Sequence, residues 1–189
     1  MPRNDSYSTT PDSGTNMRLE IELVPRTVWF SSLYHMLPLE IWASIREKHI
    51  QTTGARCEIC GSSQRPLQLH EMWQYDDEKH IQKLLGFELL CRKCHSIQHI
   101  GLAMIRAGAG GVNYDMLAEH FCRVNRCSRQ DFDRHVDKAF KVWRERSKHK
   151  WSQNLGEYER YVDRNQLREV MKEGYETTRR ERGTLHKST

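Results

Sequence analysis

The chain has 189 residues, a formal net charge of +5, 37% hydrophobic and 29% charged residues, enough for one domain of ordinary size with tails. No apolar run approaches the ~18 residues of a membrane span, and the polar N-terminus carries no hydrophobic signal segment, so no membrane association is expected and the default location is the cytoplasm. The mild basic surplus suits a polyanionic partner without specifying one.

Residues 1–18 are rich in Ser, Thr, Asp, Asn, Gly and Pro and lack a hydrophobic period, which predicts a flexible tail. Leu19 to Val24 is expected to form a short strand, and Thr27-Val28-Trp29-Phe30, beyond Pro25, to dock aromatic bulk on the domain. From Pro38 a helix places Ile41, Trp42, Ile45 and His49 near one face. Residues 19–54 therefore read as a strand and helix packed on the core formed by the chain after them.

Cys57-Glu58-Ile59-Cys60 opens the next unit, residues 55–106, and Gly61 supplies the positive φ of a tight knuckle. Pro66 to His70 alternates as a strand, with Leu67 and Leu69 on one face and Gln68 and His70 on the other. Acids at 76–78 ahead of His80-Ile81-Gln82-Lys83-Leu84-Leu85 predict a short helix ended by Gly86, and Phe87 to Leu90 a second short strand. After Cys91-Arg92-Lys93-Cys94 a helix is expected to carry His95 and His99, whose i, i+4 spacing puts both imidazoles on one face.

A glycine-rich break at Ala107–Gly111 separates this unit from a helical extension, 112–152. There Tyr114 to Val124 reads as one helix; Ser128 caps a second, with Asp131 completing a capping box. Phe132, Val136, Ala139, Phe140 and Trp143 form an apolar stripe suited to the core. Lys138, Lys141, Arg144, Arg146, Lys148 and Lys150, opposed locally only by Glu145, form either a phosphate footprint or a solvated helix end. Residues 153–189 read as a charged C-terminal tail without chemistry, and Cys122 and Cys127 as packing residues.

Two CxxC pairs, Cys57/Cys60 and Cys91/Cys94, can close a tetrahedral four-thiolate shell around structural Zn²⁺, and such pairs indicate a reducing compartment. A filled shell has no position for His70, His95 and His99, which are left for a second role.

The order CxxC, strand ending in His70-Glu71, second strand, CxxC-His95 and His99 one turn later resembles the HNH-type nucleases with a zinc-stapled ββα-metal finger. The resemblance covers roughly residues 55–102. The run His70-Glu71-Met72-Trp73-Gln74-Tyr75-Asp76-Asp77 is also similar to a subgroup of bacterial and phage HNH-like proteins. The resemblance implies an α+β fold with a small treble-clef-like core and flanking helices. It also implies a metal-dependent endonuclease that hydrolyses phosphodiester bonds of nucleic acid, DNA foremost. His70, His95 and His99 would then hold a second divalent ion (Mg²⁺, Mn²⁺, Ni²⁺ or Zn²⁺).

Glu71 stands where that family has its general-base histidine, either as a replacement base or as a carboxylate ligand suited to Mg²⁺ or Mn²⁺. Gly86 stands near the family's central asparagine, with Gln82 as a substitute. Arg92 and Lys93 are candidate phosphate contacts, and Lys141 and Arg144 candidate outlying ones. Two alternatives stay open: a catalytically inactive, zinc-stapled nucleic-acid-binding module, and a zinc-knuckle protein-interaction adaptor anchored by Trp29, Phe30 and Trp73.

Overall fold

A computed structural model describes residues 17–29, 32–108 and 113–165. The architecture is mixed α and β. Strands β1 (Leu67–Asp76) and β2 (Ile81–Cys91) form a long antiparallel hairpin, and β3 (Ser152–Asn154) adds in parallel to the start of β2, giving the order β1-β2-β3. Around the sheet lie α1 (Leu33–Met36), α2 (Leu39–Thr53), α3 (Arg92–Gln98), α4 (Ile100–Gly108), α5 (Tyr114–Asn125) and α6 (Arg129–Arg146), with 3-10 turns at Arg26–Val28 and Gly156–Tyr161.

The hairpin replaces the short helix expected over 80–85. Asp76 Oδ1 accepts from the amides of Glu78 (3.2 Å) and Lys79 (2.9 Å), so the acids make a turn rather than a helix start. Gln82 and Leu84 then point inward while Lys83 and Leu85 face solvent, a period of two. Gly86 lies within β2 at φ 151°, opposite the register shift between Met72 and Trp73. A residue without a Cβ there lets the ladder absorb the bulge. Gly86 is thus not a loop residue before a second strand, and Gln82 sits in a strand, not in a preceding helix.

Leu19 to Val24 does not form a strand. Its backbone is held by side chains of the helices beside it. Leu19 N–H donates to Asn125 Oδ1 (3.0 Å) and Leu19 O accepts from Asn125 Nδ2 (2.9 Å). Ile21 N–H donates to His135 Nε2 (3.2 Å), and Val24 O accepts from Trp143 Nε1 (3.0 Å). Every donor satisfied this way removes the drive to find a sheet partner.

The helices follow their end signals. Pro38 precedes α2, and Gly54 at φ 65° ends it. Asn113 Oδ1 accepts from Met116 N–H at α5, and Ser128 with Asp131 forms a reciprocal capping box at α6, each cap worth about 1 kcal/mol. One hydrophobic cluster joins Leu19, Leu89, Leu90, Ile97, Ile100, Phe121 and Phe132; a second joins Leu33, Leu37, Leu69, Leu84, Phe87 and Leu155. The second includes residues past 153: Leu155 is buried and Tyr158, Tyr161 and Val162 pack against it. Chain expected as a charged tail therefore closes one face of the hairpin. Residues 1–16 of the expected N-terminal tail, Phe30, positions 109–111 of the glycine-rich break and residues 166–189 lie outside the described residues. Among the described residues no helix is long and apolar enough to cross a membrane.

Candidate metal centres and the adjoining cavity

Cys57 and Cys60 lie on a knuckle closed by Gly61 N–H to Cys57 O (2.8 Å) and Cys57 N–H to Ser62 O (2.8 Å), with Gly61 at φ 74° as expected. Glu58 ties that knuckle to β2: its amide donates to Leu89 O (2.9 Å) and its Oε1 accepts from Leu89 N–H (2.7 Å). Cys91 ends β2 and Cys94 lies in α3, so the hairpin brings the two pairs together. The four sulfurs lie within 4.8 Å of one another, and Cys60 Sγ and Cys91 Sγ are 3.6 Å apart. A tetrahedron of ~2.3 Å metal–sulfur bonds needs edges of about 3.8 Å, whereas a disulfide needs about 2.05 Å. The group is therefore shaped to hold a metal ion such as zinc.

Protons are shared unequally within the group. Hydrogen bonds from Cys91 and Cys94 hold the Cys57 thiol well below its usual range, while those to Cys57 and Cys91 push Cys94 well above it. Like charges this close cannot all ionise without a cation.

His120, in α5, backs this group. Its Nε2 is 3.2 Å from Cys94 Sγ and its Nδ1 is 2.9 Å from Arg123 NH2. Since the guanidinium can only donate, Nδ1 is the acceptor and Nε2–H points at the sulfur. Burial, reinforced by Arg123 and Lys93, lowers the His120 pKa and favours this neutral tautomer.

Beside the cysteines a second group forms from His70 on β1, His95 in α3 and His99 at the α3/α4 junction. Their ligand atoms lie within 4.8 Å of one another. The rings meet edge to face, with centroids 5.3 Å apart for His70/His95, 4.9 Å for His70/His99 and 4.7 Å for His95/His99. His99 N–H donates to His95 O, and His99 O starts α4 by accepting from Leu102 and Ala103, so the break between the helices sits at the histidine. His70 is buried, and its Nδ1 has no hydrogen-bond partner. Burial first, then the two neighbouring imidazoles, hold His70 well below the usual histidine pKa. A neutral buried imidazole with an orphaned nitrogen fits a metal-ligand role.

Glu71, the next residue, is also buried, and its Oε1 accepts from Leu33 N–H at 2.9 Å, anchoring the start of α1. Burial raises its pKa, partly opposed by backbone hydrogen bonds, including those from Leu33 and Tyr34. His70, Glu71, His95 and His99 open onto a cavity of about 680 Å³. Its walls include Trp29, Trp73, Leu102, Ile105, Phe140 and Trp143, and, leaving aside the side chains of residues 106–108, which lie outside the description, no Lys or Arg among the described residues lines it. One wall carries a hydrogen-bonded chain. Gln153 Nε2 donates to Gln82 Oε1 (3.0 Å) and Gln82 Nε2 to the Tyr75 hydroxyl (2.9 Å). Tyr75 is in turn hydrogen-bonded to Glu22. Glu22 Oε1 is enclosed without a partner, and burial pushes this carboxyl up to about 8.

The residues expected to contact nucleic acid lie elsewhere on the surface. Arg92 is exposed and Lys93 half-buried at the start of α3, and Lys141 and Arg144 are exposed on α6; none lines the cavity. Arg146 leaves the expected basic run altogether. It makes a two-pronged ion pair with Asp77 (2.8 Å for each contact) and stacks over Tyr75 at 4.1 Å. Lys148 pairs with Glu145. The α6 stripe divides: Phe132 and Val136 enter the core, while Phe140 and Trp143 line the cavity. Trp29 and Trp73, expected as adaptor anchors, line it too.

Sequence reasoning missed Glu22, Tyr75, His120 and Gln153 as site residues, and it gave Gln82 a different role. No local pattern marks them; each acquires its place from a partner distant in sequence. No family model, curated protein or solved structure matches the chain.

Proposed function

We propose that this protein is a metal-dependent, HNH-like endonuclease with a structural Zn²⁺ on Cys57, Cys60, Cys91 and Cys94 and a second divalent ion on His70, His95 and His99. The observation that carries this reading is the convergence of three imidazoles from one hairpin strand and the following helix, one of them buried with an orphaned nitrogen. The resemblance of the same segment to the zinc-stapled ββα-metal finger supports it.

A divalent ion there would polarise the scissile phosphate and acidify its coordinated water. His70, fixed in β1 and neutral, and His95 and His99, fixed by α3 and its junction, set where the phosphate is held. Glu71, positioned at the cavity wall by the Leu33 amide, accepts the proton of the attacking water. Arg92 and Lys93 on α3, with Lys141 and Arg144 on α6, engage flanking phosphates outside the cavity. DNA is the proposed substrate, and the chain acts in the cytoplasm.

A second reading draws on the engagement of Glu71 Oε1 by Leu33: a zinc-stapled nucleic-acid-binding module in which that carboxylate is structural. Nicking of supercoiled plasmid in Mg²⁺, Mn²⁺ and Ni²⁺, comparing the wild type with His95→Ala, separates the two. Metal-dependent cleavage by the wild type alone is expected. Tight, salt-sensitive binding without cleavage in any of the metals would replace the nuclease by the module.

A further inference from the structure

Away from the histidines themselves, the adjoining cavity does not have the chemistry of a phosphate site. Its volume, about 680 Å³, falls in the ~300–1,000 Å³ range of small-ligand pockets. Away from His35, Glu71 and the three clustered histidines its walls are mainly apolar and aromatic, and, leaving aside the side chains of residues 106–108, which lie outside the description, no Lys or Arg among the described residues lines it. A duplex backbone, carrying one charge every ~1.7 Å, calls for the opposite lining.

Apart from His35, Glu71 and the three clustered histidines, the polar part of the wall is largely uncharged in kind. Gln153, Gln82 and Glu22 present amide and carboxyl groups, with Tyr75 behind them bridging Gln82 to Glu22, and with a pKa of about 8 the Glu22 carboxyl is neutral at pH 7. Tyr75 occupies one side of that carboxyl, and Oε1 is enclosed without a partner. Groups of these kinds suit a flat apolar ligand with hydrogen-bonding atoms on its edge.

We propose that this cavity receives an unpaired nucleobase, stacked among Trp29, Phe140 and Trp143 and met at its edge by Gln153, Gln82 and Glu22, while the adjoining phosphate lies at His70, His95 and His99. The inference rests on the nuclease reading for the phosphate but not for the base. Bases in a duplex are enclosed by their own stack, so only a single-stranded or extruded nucleotide can enter. Base-on-aromatic stacking is tolerant of sequence, so the preference is for strandedness rather than for one base.

Three of the five tryptophans, Trp29, Trp73 and Trp143, line the cavity, so intrinsic fluorescence reports occupancy. The probes are adenosine, cytidine, guanosine and uridine, a single-stranded DNA oligonucleotide, the same strand with abasic sites, and its duplex, each added to the full chain and to His95→Ala. Saturable quenching by nucleosides is expected in both proteins, with the intact strand bound at least about tenfold more tightly than the abasic strand.

Trp29→Ala, at a partly exposed position, should weaken binding of the intact strand and leave the abasic one unchanged. Gly101→Leu should do the same by filling the cavity, because a Cβ at Gly101 meets only ordinary contacts, 3.6 Å to Leu23 and 3.8 Å to Phe140. Equal binding of intact and abasic strands, with no response to either variant, would overturn the base pocket even if plasmid is cleaved. Absence of cleavage with base-dependent binding retained would remove the nuclease reading and leave the pocket standing.

Discussion

Replacing Glu22 by glutamine should stabilise the protein, and the gain should grow with pH. Burial raises the Glu22 pKa from 4.5 to about 8, with Arg146 and the Tyr75 hydrogen bond opposing the shift. Below about pH 4.5 the carboxyl is protonated whether the chain is folded or not, and the raised pKa costs nothing. Between 4.5 and about 8 only the unfolded chain releases the proton, so the folded state loses about 1.4 kcal/mol per pH unit. The whole difference, 8 minus 4.5 or about 3.5 units, amounts to about 5 kcal/mol, an upper limit because water entering the cavity would reduce it. Glutamine keeps the shape and an acceptor for Tyr75 without the ionisation. Urea unfolding of the zinc-loaded wild type and Glu22→Gln at intervals from about pH 6 to about pH 9 measures the difference, and the metal centres, common to both proteins, cancel. The stability gain should rise by about 1.4 kcal/mol per unit up to about pH 8 and then level off. A difference that does not change with pH would refute the account of Glu22 as a buried neutral acid.

Chelation should unfold the domain, because the apparent zinc-binding energy of such sites, about 10–16 kcal/mol, matches or exceeds the ~5–15 kcal/mol of an ordinary fold; circular dichroism unchanged after complete metal removal would refute it. Cys94→Ser should lose the same ion by elemental analysis. His120→Ala should retain one zinc per chain but bind it about 10–100-fold more weakly in a chelator competition, and an unchanged affinity would separate His120 from the centre. His70→Ala should lose a second ion while keeping the first, so two ions retained in that variant would disprove the histidine site. Glu71→Gln keeps an acceptor for Leu33 and should unfold like the wild type while cleaving plasmid more slowly; Glu71→Ala should in addition lose about 1–3 kcal/mol of stability. Equal cleavage by the wild type and Glu71→Gln would restrict Glu71 to anchoring α1.

Much of the candidate site was legible because its parts are close in sequence. The CxxC spacing of Cys57/Cys60 and Cys91/Cys94 and the i, i+4 spacing of His95 and His99 constrain geometry within a few residues, and such local constraints survive without knowledge of the fold. Caps are equally local, and the box at Ser128 and Asp131 forms as its residues dictate. The stretch over 76–86 misled because acids before an apolar run serve a turn as well as a helix start, and pairing with β1 decided between them. Leu19 to Val24 has a strand's composition, but Asn125, His135 and Trp143 take up its backbone groups in place of a sheet partner. The cavity was beyond the sequence altogether. Helical spacing puts Phe140 and Trp143 on the same stripe as Phe132, and only the packing of α4, α6 and the N-terminal segment around the histidines left two of them facing open space. Glu22, Gln82 and Gln153 are ordinary polar residues until the fold encloses them. Local spacing determined which side chains could hold metal; long-range packing alone decided what lies beside them, because burial and hydrogen-bond partnership are properties of neighbours distant in the chain.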